Sequence, residues 1–199
     1  MSRRIIAGAA CALWVSASAA AAEPFQSWVD MCLNTNLDLQ VAGALAKADG
    51  WTPLSVEDMD LGEDNLQDPV LYLSADPATL TDKSVRDVEM LLTGWGRGEE
   101  IFGVPGVRMD ACVVMSEASD AATLRSRLQD WLGIESTMLD GAEAWVFSRN
   151  GAGFRSEAAL MSLAEDELPR LAREKKVFVA ALIPEDGMSG LMLAILRAD

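Results

Sequence analysis

The 199-residue chain contains no histidine. That single absence removes the Ser-His-Asp triad, Cys-His catalysis, histidine general bases and the usual zinc sites. Lysine is scarce as well: Lys47, Lys83, Lys175 and Lys176 are the only four, and none completes an S-x-x-K motif that would support serine-lysine chemistry. Cysteine is limited to three residues with no C-x-x-C pair, so neither a redox motif nor a cysteine-dense scaffold is present. Positive charge is the other shortage, with 16 Lys and Arg against 31 Asp and Glu and a formal net charge of −15. Phosphate backbones and anionic lipid surfaces bind through lysine and arginine, so nucleic acid is excluded as an expected partner.

What is present is enough apolar material for a core. Half the residues are hydrophobic, which separates the chain from disordered acidic proteins. Its length fits one ordinary domain. The first 22 residues read as a signal peptide: Arg3 and Arg4 precede an apolar run from Ile5 to Val15, and Ala20-Ala21-Ala22 supplies small residues for cleavage. The run gives way to Ser and Ala after Val15, too early for a membrane span. Cleavage after Ala22 would discard Cys11 and leave 14 basic against 31 acidic residues, a net of −17. Residues 23–199 are expected to form a single domain in the periplasm or outside the cell.

An exported chain retaining Cys32 and Cys112 most simply joins them. Pro24 is suited to open a helix whose Phe25, Trp28, Val29 and Cys32 share one face. Asn34-Thr35-Asn36 breaks it, and a second helix is expected to gather Leu37, Val41, Ala44, Leu45 and Ala48 on its buried side before Gly50, with Trp51 folding back. Residues 52–69 hold Pro53, Gly62, Pro69 and a cluster of acids, and read as a solvated loop. Within it Asp58, Asp60, Glu63 and Asp64 are weak candidate metal ligands. The calcium-loop spacing fails, since Pro69 falls near the point where a bidentate Glu is required.

Further on, Val70–Leu73 is a short strand or helical turn, and Asp76-Pro77 a turn. Val85–Trp95 and Val107–Met115 predict a long-looped hairpin, with Val107, Met109, Ala111, Val113 and Met115 toward the core and the Cys112 side covered by the N-terminal helix. The stretch 94–98 reads as a plain loop. It neither completes G-x-G-x-x-G nor precedes a helix, so it offers no phosphate cradle. Asp120–Leu132 predicts a helix burying Leu124, Leu128, Trp131 and Leu132, with Arg125, Arg127 and Asp130 toward water and Gly133 ending it. Ala144–Ser148 is a strand with Trp145 and Phe147 on one side. Two short helices separated at Pro169 follow, and Val177–Ile183 with Leu191–Arg197 closes the chain as a hairpin. Met188 and Met192, four apart, read as core filler rather than copper ligands.

This order predicts an α+β fold: a mainly antiparallel sheet with two N-terminal helices and further helices packed on it. The opening, with Phe25, Cys32, an alanine-rich helix ending in Gly50-Trp51 and the later Cys112, resembles small exported proteins of alphaproteobacteria. The resemblance implies export and a disulfide, and brings no activity with it.

The function these features point to is an exported, disulfide-bonded binding or interaction protein. It needs no cofactor, and its protein or peptide partner would be basic if charge drives binding, as for an accessory or inhibitor of a basic protein. The rival expectations are a carboxylate-dependent hydrolase, with no catalytic residue that can be singled out among 31 acids, and a calcium-dependent module using residues 57–68.

Overall fold

A computed structural model describes residues 24–55, 66–81, 84–98, 105–139, 141–185 and 187–199. The expected signal peptide with Cys11, and the candidate ligands Asp58, Asp60, Glu63 and Asp64, therefore lie outside the described residues. Among those described, the fold is α+β and is built on one antiparallel sheet of nine strands.

The strands are β1 (Thr52–Leu54), β2 (Gln67–Leu73), β3 (Glu89–Arg97), β4 (Val107–Ser116), β5 (Thr137–Leu139), β6 (Ala142–Asn150), β7 (Gly153–Ser156), β8 (Phe178–Glu185) and β9 (Met188–Ala198). Their spatial order is β1-β2-β3-β4-β9-β8-β6-β5, with β7 also paired to β6. The C-terminal strand β9 thus sits at the centre, joining the β1–β4 half to the β5–β8 half. Pro53, which can donate no ladder hydrogen bond, is tolerated because β1 is an edge strand.

Four α-helices accompany the sheet among the described residues. Helix α1 (Pro24–Trp28) runs into a π turn over Val29–Leu33, α2 spans Leu39–Ala48, α3 spans Ala121–Leu132, and α4 spans Leu168–Glu174 with Pro169 at its start. Asp38 caps α2 by accepting from the Val41 amide, and Asp120 caps α3 by accepting from the Thr123 amide. Gly133, at φ 63°, ends α3 in the left-handed conformation that glycine adopts without steric cost. No helix among the described residues is long and apolar enough to cross a membrane.

The main core lies between α1, α3 and one face of the sheet. Trp28, Leu33, Leu37, Leu91, Cys112, Val114, Trp145, Phe147, Phe178, Leu191, Leu193 and Ile195 are its fully or almost fully buried members. Cys32 and Cys112, both at 0% exposure, form the expected disulfide, which ties the π turn to the centre of the sheet.

Several expectations are corrected. The principal core face of β4 is the one bearing Cys112 and Val114, not the Val107–Met115 set; Ala111 and Val113 instead face the side where α4 packs on β9 and β4. Residues 52–54 and 67–69 are strand rather than loop, and β3 extends through Gly94 and Gly96 to Arg97. A Cβ on Gly94 would lie 2.7 Å from Leu66 Cγ, so glycine here serves a close approach and not a loop.

The buried side of α2 is reversed as well. Ala42, Gly43 and Ala46 face inward while Val41 and Leu45 are 45% and 40% exposed. Small residues win because the helix lies very near the sheet: a Cβ on Gly43 would come within 2.4 Å of the Tyr72 hydroxyl. Trp131 is 39% exposed, although its ring meets Phe25, Trp28 and Phe154. Arg127 is not free in solvent; it stacks over Phe25 at 4.7 Å.

Candidate functional site

A cleft of about 840 Å³ opens between α2 and strands β2, β3, β4 and β9, beside the disulfide. Alternation along β4 places Arg108, Asp110 and Cys112 on the helical face, and alternation along β3 places Thr93 and Trp95 there. The floor consists of Val70, Tyr72, Thr93 and Asp110; one wall is α2, through Leu39, Gln40, Gly43, Ala44 and Lys47; the mouth carries Asp38, Asp68, Trp95, Arg108 and Arg197.

At its centre is a charged triad. The register sets Arg108 directly opposite Arg197 across β4 and β9, an arrangement in which like charges repel. Asp110, with a side chain only 2% exposed, sits between them. Its Oδ1 is 3.0 Å from Arg108 Nε, and its Oδ2 accepts from Arg108 Nη2 at 3.3 Å and from Arg197 Nε. Such a carboxylate is buried only because it is paired.

Arg197 continues outward. Its Nη2 donates to the carbonyls of Asn36 and Leu37 at 3.1 and 3.0 Å. Those two residues hold left-handed backbones, φ 53° and 55°, and Leu37 lines the cleft. The third left-handed non-glycine residue among those described is Asp68, at φ 47°, where the β2–β3 register slips between Gln67 and Val70. That bulge turns the Asp68 carboxylate onto Trp95, whose Nε1 donates to it at 2.8 Å. The Trp95 ring in turn carries the Arg108 guanidinium at 5.5 Å. Two of the three strained positions therefore lie in the cleft wall and the third adjoins it. Strain of this kind persists only where the surrounding structure enforces it, and it gathers at functional sites.

Tyr72 completes the floor under α2, with Lys47 Nζ 6.0 Å from its ring centre. Burial pushes its hydroxyl above the ordinary tyrosine range, so it stays protonated at neutral pH. Among the described residues that line the cleft, all three carboxylates are engaged: Asp110 by two arginines, Asp68 by an indole, and Asp38 by the first turn of α2.

The sequence alone assigns no functional residue to this cleft. The signal was present in Val107-Arg108-Met109-Asp110-Ala111, two opposite charges two apart inside an apolar strand. Such residues share one face and need partners, but the third member, Arg197, lies 87 residues further on and is brought in only by the β4–β9 pairing. No group of three or more Cys, Asp or Glu arranged to hold a metal ion occurs among the described residues. No family model, curated protein or solved structure matches the chain.

Proposed function

We propose that this chain is an exported, disulfide-bonded binding or interaction protein whose partner docks in the cleft beside α2. The observation that carries this reading is the engagement of the three carboxylates that line the cleft among the described residues. Groups that hold walls in place preform a surface for binding, whereas acid–base catalysis needs a carboxyl that can exchange a proton with a substrate. The signal-like N-terminus and a disulfide within a chain of this composition support export. The exposed Val41 and Leu45 on the outer side of α2 supply apolar contact next to the polar mouth, as protein and peptide partners require. The negative balance of the chain favours a basic partner.

The test is native mass spectrometry of the protein released gently from its own host, as wild type and as Ala44→Trp. Ala44 is an exposed lining residue of α2, so an indole there fills the cleft from its open side without disturbing the core. A bound species present on the wild type and lost from Ala44→Trp is the expected result. Retention of that species by the plugged variant would place the binding surface elsewhere.

A further inference from the structure

A second cavity, of about 420 Å³, lies on the other side of the turn that borders the cleft. It exists because β6 and β8 part. Their pairing ends at Phe147 and Phe178; β6 then runs on to Asn150 beside β7, while the chain before β8 leads back to α4. Into the gap project Arg149, Arg155, Lys175 and Lys176, together with Asn36, Ser148, Asn150 and Glu174.

Four of the chain's 16 lysines and arginines thus meet in one pocket of a protein with a net charge of −15. Part of this charge has an internal use. Glu157, 8% exposed, accepts from Ser148 at 2.6 Å and from Arg155 Nε at 2.9 Å, and pairs with Lys175 Nζ at 2.5 Å. Burial alone would raise its pKa, but the bonds from Lys175, Ser148 and Arg155 outweigh burial and hold it at about 2. Glu174, at the rim, pairs with Arg170.

The other two cations are not used in this way. Arg149 Nη2 donates to the Leu33 carbonyl at 2.6 Å, a contact that leaves the guanidinium's full charge uncompensated. Lys176 is exposed and makes no ion pair among the described residues. Counting Glu157 and Glu174, the pocket retains two more positive than negative charges. It also offers the side-chain amides of Asn36 and Asn150 as neutral hydrogen-bond donors, the Ser148 hydroxyl proton being committed to Glu157.

We infer that this pocket is a binding site for a small oxyanion of two or more negative charges, held by Arg149 and Lys176 with Arg155 and Lys175 behind them. An arginine fork beside a mobile ammonium suits a phosphoryl, sulfuryl or carboxylate group. The pocket is too small and its charge too local for a polyanion. The pocket shares no lining residue with the α2 cleft.

Isothermal titration with inorganic phosphate, sulfate and citrate, each against sodium chloride of equal ionic strength, tests this on the wild type and on Lys176→Gln. Phosphate and sulfate binding would identify a tetrahedral oxyanion, and citrate alone a polycarboxylate; either result supports the site. Lys176→Gln should weaken the bound anion about 5-fold, the value of one charge pair at an exposed position, with an unchanged melting temperature in chloride. Arg149→Gln should weaken it further, but Arg149 also anchors the Leu33 carbonyl, so Lys176→Gln is the deciding variant. No heat with any of the three anions, or equal affinity in Lys176→Gln, would overturn the assignment.

Discussion

Replacing Asp110 by Asn changes one oxygen for a nitrogen of the same size and removes the only negative charge between two arginines set opposite each other. Breaking a fully buried ion pair in this way costs roughly 3–5 kcal/mol. Here the carboxylate is buried, but the side chains of Arg108 and Arg197 are 39% and 29% exposed, and water screens part of their repulsion. The expected loss is therefore about 2–3 kcal/mol, which for a protein of this length lowers Tm by roughly 5–10 °C. Urea unfolding of the oxidised protein measures it directly. A local effect should accompany the global one, because Arg197 also holds the Asn36 and Leu37 carbonyls. With Asp110 neutral, amide exchange at Asn36 and Leu37, whose N–H groups donate to Leu33 and Cys32 carbonyls, should accelerate more than exchange in the central strands. Adding Arg108→Gln to Asp110→Asn should recover part of the stability by removing one of the repelling charges. An Asp110→Asn protein within about 0.5 kcal/mol of wild type, the range of an ordinary surface change, would refute the reasoning.

Cys32→Ser or Cys112→Ser should destabilise by up to about 4.5 kcal/mol, the chain-entropy figure for an 80-residue separation, and the native oxidised protein should show no reactive thiol from either position. Gly43→Ala should cost roughly 1–3 kcal/mol, because the new methyl meets the Tyr72 hydroxyl at 2.4 Å and its ring Cζ at 3.1 Å; Tyr72→Phe in the same chain removes the closer contact and should restore part of the loss, and a double variant no better than Gly43→Ala would count against the contact. Glu157, held at about 2 in the fold against an ordinary 4.5, stabilises fully above pH 4.5, and that contribution is lost as pH falls from 4.5 toward 2; it amounts to about 1–3 kcal/mol, and the corresponding slope in acid denaturation should be absent from Glu157→Gln.

The sheet was legible where local chemistry decides. Trp145 and Phe147 alternate onto one side of a strand, Asp120 and Gly133 bracket a helix, and the turn near Gly187 closes the last hairpin, each as expected. What was not legible depends on what packs from a distance. In β4 both faces are apolar enough to be core, and the face is decided by α1 and the π turn lying over Cys112 and Val114. In α2 the larger side chains Val41 and Leu45 form the more obvious stripe, yet the Ala42-Gly43-Ala46 side is buried because Tyr72 from β2 lies close beneath it. Hydrophobic periodicity ranks faces by side-chain size, whereas close packing ranks them by the room available. The charged triad was hidden for a related reason: local spacing gives Arg108 and Asp110, and only the insertion of β9 between β4 and β8 supplies Arg197.

The same long-range partners converge on the turn between α1 and α2, where the chain is least at ease. Asn tolerates a left-handed backbone through its short polar side chain, but Leu37 has no such relief and costs about 1–2 kcal/mol there. Its side chain is fully buried in the core, which fixes the residue from one side. From the others, β4 holds Cys32 through the disulfide, β6 holds the Leu33 carbonyl through Arg149, and β9 holds the Asn36 and Leu37 carbonyls through Arg197. Hydrogen bonds from a charged group are worth about 1.5–3 kcal/mol each, so the two arginines outweigh the strain of a single left-handed leucine even before burial is counted. Asn36 lines the basic pocket and Leu37 the α2 cleft, so the clamped turn is the partition between the two cavities. Each clamp thereby does two things at once. Arg197 neutralises Asp110 in the cleft and fixes the partition, and Arg149 fixes the partition while leaving its charge facing the basic pocket. A turn made of residues at ease in another conformation would relax when either cavity changed its occupant; one held by three strands keeps both cavities open and of fixed shape.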